Sequence, residues 1–168
     1  MIFKQLFDKK SSTYTYLIAS AKGREALIVD PVIENVAEYI NLDHLKIKAM
    51  YTPGHTSDSY SFLMDNYLFS GDTLLINGTG RTDFQNGSSK DAYNSIFNKL
   101  LKLPEETLLY PAHDYNGKKV SSIGNEKKFN PRLQVNSENE YEEIMNNLNL
   151  PKPKLMDINV PRNIKLVA

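Results

Sequence analysis

Three short stretches of this chain share one pattern: a strand-like apolar run stops, and a histidine or aspartate follows within a few residues. They are Tyr51-Thr52-Pro53-Gly54-His55-Thr56, Phe69-Ser70-Gly71-Asp72-Thr73 and Tyr110-Pro111-Ala112-His113-Asp114-Tyr115. Residues this far apart in sequence reach one place most simply from strands of a common sheet. Strand ends on a rigid sheet are where a scaffold presents chemistry. The flanking sequence supports this. Leu45, Ile47, Ala49 and Tyr51 alternate with Lys46 and Lys48, predicting a half-buried strand. Runs at Tyr60 to Met64 and Tyr67 to Phe69 flank Asp65-Asn66, which predicts a hairpin. Thr107 to Tyr110 reads as a short strand. Nearer the start, Tyr14, Tyr16 and Ile18 alternate with Thr13, Thr15 and Leu17, and Ala26 to Val29 stops at Asp30-Pro31.

Two helices are predicted in the second half. Tyr93, Ile96, Phe97, Leu100 and Leu101 form an apolar stripe over 88–102, opened by Ser88 with Asp91 as a capping box. Tyr141, Ile144, Met145 and Leu148 form another over 137–148, opened by Ser137 with Glu140. Strands first and helices interleaved later give an α/β (α+β layered) domain. At 168 residues the chain fits one domain, 1–168.

The residue types at the strand ends suit a divalent metal. Neutral imidazole and carboxylate bind zinc, iron or manganese, and two histidines with one carboxylate is the facial pattern of non-haem iron(II). The chain has no cysteine, so thiolate ligands and a cysteine nucleophile are excluded. Each residue also has an ordinary reading. His55 after Pro-Gly and Asp72 after Gly71 are common turn residues, and His113 could be bonded to Asp114. His44 reads as a turn residue. A second group, Arg81 in the glycine-flexed loop 78–84, Tyr115 and Arg132, could meet a small anionic ligand, since guanidinium grips carboxylate with two hydrogen bonds. The alternative for Arg81 is an internal pair with Asp83 that only shapes the loop.

Twenty basic residues balance twenty acidic ones, which argues against a nucleic-acid partner. No apolar run reaches membrane-spanning length and the first residues lack a signal-peptide pattern, so the expectation is a soluble, cytoplasmic protein with no membrane partner.

The three strand-end stretches resemble the persulfide dioxygenase (sulfur dioxygenase) family, the glyoxalase II-like branch of the metallo-β-lactamase superfamily. So do Ser11-Ser12-Thr13-Tyr14-Thr15-Tyr16, Gly80-Arg81-Thr82-Asp83-Phe84, Asn130-Pro131-Arg132-Leu133 and Asn147-Leu148-Asn149-Leu150-Pro151-Lys152-Pro153. The match runs in order along nearly the whole chain. The resemblance implies an αββα sandwich and one iron(II) held by two His and one Asp. It implies a glutathione persulfide that dioxygen oxidises to sulfite. By position, His55 and Asp72 resemble iron ligands. His113 resembles the superfamily's second-metal histidine, so His113 and Asp114 are alternative ligands or support. Arg81, Tyr115 and Arg132 resemble positions of the glutathione site.

One feature of the family is missing. The His-x-His-x-Asp-His segment, which supplies the first iron-binding histidine, is absent. The sequence passes directly from Tyr39-Ile40 to Asn41-Leu42-Asp43-His44-Leu45, as though a block of several dozen residues had been removed near 40–41. The expected fold is therefore a truncated metallo-β-lactamase sandwich with exposed apolar surface or an unpaired strand edge, which a homodimer would cover. Fewer ligands should weaken the metal site and impair the dioxygenase. The alternatives are a glyoxalase II-type thioester hydrolase using zinc, and a non-catalytic relative that keeps a thiol pocket.

Overall fold

The structure, a computed structural model, describes residues 2–8, 13–19, 21, 26–29, 48–84 and 86–152. His44, the junction at 40–41 and the Asp30-Pro31 stop lie outside the described residues. Two sheets and a set of helices form the layers. The first sheet holds β1 (Ile2–Asp8), β2 (Thr13–Ala19) and β3 (Ala26–Val29), antiparallel in that order. The second holds five strands: β4 (Lys48–Tyr51), β5 (Tyr60–Met64), β6 (Tyr67–Gly71), β9 (Leu108–Pro111) and β10 (Ser121–Ser122). Their order is β10-β9-β6-β5-β4. A small ribbon, β7 (Leu74–Leu75) with β8 (Gly78–Thr79), follows β6.

The direction of the strands decides where the site lies. β4 and β6 are each antiparallel to β5, and β6 is parallel to β9. Strands β4, β6 and β9 therefore run the same way and end at the same edge. The Asp65-Asn66 hairpin joins β5 to β6 as predicted, with Asp65 at φ 52°.

Alternation divides the core. Phe69 and Tyr110 point to one face of the large sheet, and Leu68 and Leu109 to the other. Tyr14, Tyr16, Ile18 and Met64 join the first pair between the sheets. Tyr16 lies edge-on to Phe69 and Tyr110, with ring centroids 5.1 and 5.5 Å apart, and its hydroxyl donates to Pro111 O at 2.5 Å. Leu68 and Leu109 pack under the helices with Ile96, Leu100, Ile123, Tyr141 and Met145. These come from α1 (Ser89–Asn98) with its 3-10 extension Leu100–Lys102, α2 (Ile123–Phe129) and α3 (Glu138–Asn146).

Ser88 and Ser137 cap α1 and α3 as predicted, accepting from the backbone N–H of Asp91 and Glu140. The helix predicted over 88–102 stops at Asn98 because Lys99 leaves helical geometry, and the last apolar residues tighten into the 3-10 turn. Strand β1 and the short helix α2 were not predicted. β2 is buried on both faces, with Leu17 and Ala19 covered, so its apolar residues are not left open. Exposed apolar side chains appear on the edge strand β1, at Leu6 and Phe7, and on β4 and its neighbour β5, where Tyr51 and Tyr60 are each 49% exposed.

Candidate metal-binding site

His55, Asp72 and His113 follow β4, β6 and β9, and their side chains meet beyond the shared edge. His113 Nε2 lies 3.4 Å from Asp72 Oδ2, and His55 Nε2 lies 3.6 Å from the same oxygen. Two ligands about 2.1 Å from one tetrahedral ion stand about 3.4 Å apart. Both spacings are thus close to those of atoms that share an ion, and the donor set suits iron(II) or zinc. The closure is incomplete. Among the described residues no group of three or more His, Asp or Glu side chains closes into a metal cage. Among the described residues Asp72 is a hub with an imidazole on each side.

Each ligand is held from below. His55 Nδ1 lies 2.7 Å from Arg81 O. A carbonyl can only accept, so the neutral ring carries its proton on Nδ1 and turns the Nε2 lone pair toward Asp72. Gly54, at φ 145°, makes this loop possible: a β-carbon there would lie 2.4 Å from Ala92 Cα, inside α1. Gly80 is equally constrained, since its β-carbon would fall 2.0 Å from Asp72 O and 3.1 Å from His55 Cβ. The 80–81 turn thus packs directly on two of the site residues. Ala112 N donates to Gly71 O, tying the end of β9 to that of β6 beside His113 and Asp72.

Under the strand ends lies a buried hydroxyl network that motif reading did not single out. Thr52 Oγ1 and Ser61 Oγ are 2.9 Å apart, Thr73 Oγ1 donates to Thr52 O, and Ser70 Oγ donates to Leu74 O. All four residues are essentially buried. The available signal was Ser70 and Thr73 on either side of Asp72, and Thr52 three residues before His55.

Burial pushes the Asp72 carboxyl upward, but the hydrogen bond and charge of His113, with the charge of His55, outweigh it and hold the group below its ordinary value. Asp114, buried, has one carboxylate oxygen accepting the N–H of Asn116 and Lys118, which shapes the loop after His113. Tyr115 is 75% exposed and its ring stacks near His113 at 6.2 Å.

The two arginines are engaged within the protein. Arg81 makes the internal pair foreseen as its alternative, two 2.7 Å bonds to Asp83, and also donates to Pro151 O at 2.8 Å and lies over the Phe84 ring. Arg132 donates to Thr79 O and Thr79 Oγ1.

Strand ends carrying His, Asp and His at one edge of a sheet-on-sheet core, with helices outside, define a metallo-β-lactamase-type scaffold. The metallo-β-lactamase superfamily model matches residues 37–113, a span that contains all three site residues. The mitochondrial persulfide dioxygenase ETHE1 of Mus musculus is 33% identical over 225 residues, covering 98% of this chain and 88% of its own length. Its Homo sapiens counterpart is 32% identical over the same span. The crystal structure of ETHE1 from Myxococcus xanthus superposes with a TM-score of 0.88 at 38% identity, covering 97% of this chain and 98% of that one. A metallo-β-lactamase structure from Staphylococcus aureus, 23% identical with a TM-score of 0.74 over 90% of this chain and 68% of that one, shares the fold. The chain belongs to the persulfide dioxygenase family of the metallo-β-lactamase superfamily.

Proposed function

We propose that this chain acts as a persulfide dioxygenase-type protein on a small sulfur compound, glutathione persulfide by family resemblance, with iron(II) at His55 and Asp72. The observation that carries this reading is the approach of two imidazole Nε2 atoms to one carboxylate oxygen, in a chain 33% identical to a persulfide dioxygenase over 98% of its length. Bound there, iron(II) would supply the centre at which dioxygen and a sulfur atom are brought to react. Asp72 would provide the negative charge and His55 a lone pair fixed by its Nδ1 bond. His113 would orient Asp72 from the other side. Tyr115, exposed beside His113, and Arg81 are the groups proposed to meet the glutathione part. Arg132 would join them only by giving up Thr79.

The proposal includes reduced metal affinity. The match to the mouse relative runs over 225 positions but takes in 98% of this 168-residue chain, about 165 residues, so about 60 of its positions have no counterpart here. That length supports an internal deletion in a single domain, placed at 40–41, which would remove the ligand-bearing His-x-His-x-Asp-His segment. The unclosed cage favours a second reading, a relative that keeps the fold and has lost turnover.

One experiment separates the two. Iron per chain is measured in iron-loaded protein, and oxygen uptake is followed with glutathione persulfide. Uptake that His55→Ala abolishes supports the dioxygenase. Iron far below one per chain with no uptake above His55→Ala overturns it and leaves the non-catalytic relative.

A further inference from the structure

Glu126 is a carboxylate with no exposure to solvent, and the site described above does not include it. Such a group persists only if its oxygens are satisfied. One oxygen accepts from Ser121 Oγ, and the other from Asn77 N and Asn130 Nδ2, each at 2.8 Å. Asn130 is also fully buried. Its Nδ2 donates to Gly78 O at 2.9 Å, and its Oδ1 accepts from Arg132 N. Arg132 in turn donates to Thr79 O, and Tyr141 donates to Thr79 Oγ1. The loop 77–79 is therefore gripped from α2, from the turn after it and from α3. Two residues further on, Arg81 O meets His55 Nδ1, and Gly80 between them packs on Asp72 and His55.

We propose that Glu126 and Asn130, with Arg132, are positioning residues for His55: they fix the 77–81 loop so that Arg81 O selects the Nδ1-protonated ring. The grip is one continuous path from a buried carboxylate to the imidazole, and loosening it frees the carbonyl that sets the tautomer. This rests on the proposed role of His55 at the site, but its test needs neither metal nor turnover, so the two can fail separately.

The test is imidazole nitrogen-15 NMR of the metal-free, full-length chain, whose three histidines make assignment tractable. In the wild type His55 is expected as the Nδ1–H form. In Glu126→Gln, which keeps the side chain's shape but replaces one accepting oxygen by a donor, that preference should fall by about two- to tenfold, the worth of one hydrogen bond. His113 serves as the internal control and should keep its pattern. A folded Glu126→Gln protein with an unchanged His55 pattern overturns the proposal, as does an equal change at His113. Should Glu126→Gln not fold cooperatively, Arg132→Lys is read instead. It releases Thr79 O from a half-buried side chain, and an unchanged His55 there overturns the proposal.

Discussion

Gly54 and Ala92 occupy space that a single methyl group would fill: a β-carbon on Gly54 would lie 2.4 Å from Ala92 Cα and 2.5 Å from Ala92 N. The loop that carries His55 is thereby pressed against the first turn of α1. Gly54 O accepts from Ser88 N, and Ser95 Oγ donates to Pro53 O. Gly54→Ala must both relieve that overlap and adopt a φ near 145°. A loss of about 3 kcal/mol or more, or failure to fold, is expected. Urea unfolding measures it, and a change under about 1 kcal/mol would show that the helix can step aside.

Asp72 gives a pH prediction with a definite sign. Its folded-state value is depressed, so the stabilisation it contributes is present above its unfolded value near 3.8 and is lost as pH falls through the lower folded value. Wild-type protein should lose part of its urea midpoint below about pH 4. Asp72→Asn should lack that part of the loss. Parallel pH profiles for the two proteins would count against the depressed carboxyl.

Arg81 is expected to hold residues 150–151 against the site loop, through Pro151 O and Leu150 O. Arg81→Met retains much of the stem over Phe84 and removes both carbonyl bonds and the Asp83 pair. Amide exchange at Leu150 and Lys152 should speed up several-fold, while α1 is unaffected. Unchanged exchange there would mean the segment is held by other contacts.

Tyr141 is completely buried and its hydroxyl donates to Thr79 Oγ1 at 3.1 Å. Tyr141→Phe leaves the ring packing intact and should lower stability by about 1 kcal/mol. A larger fall would mean that Thr79 had lost its place beneath Arg132, and a smaller one that Arg132 Nη1, 3.4 Å from Thr79 Oγ1, supplies the donor instead.

What was legible in the sequence had short-range causes. Alternation exposed the strands around Tyr60 and Tyr67, and Ser88 and Ser137 announced their helices, because caps and period are local signals. The convergence of His55, Asp72 and His113 could be expected from three equal strand-end grammars, since parallel direction turns equal grammar into one edge. Other parts were hidden. α2 is seven residues long with Gly124 inside it, and its role is set by a distant grip on Asn77 and Gly78. β1 exists through its pairing with β2, with Phe3 packed on Tyr110 at 5.0 Å. That Arg81 and Arg132 face inward is likewise a tertiary fact, invisible in residue type.

Strand β2 meets the site beside His113. Tyr14 N donates to Ala112 O and Thr13 bridges His113, while His55 depends on the α1 loop and the 80–81 turn. The two imidazoles consequently sense different halves of the molecule. A disturbance at the β2 corner is expected to show first at His113, and one in the α1 loop or at Gly80 first at His55. A pair of ring-specific spectroscopic probes would therefore tell, in one experiment, which half of the protein a remote substitution has moved.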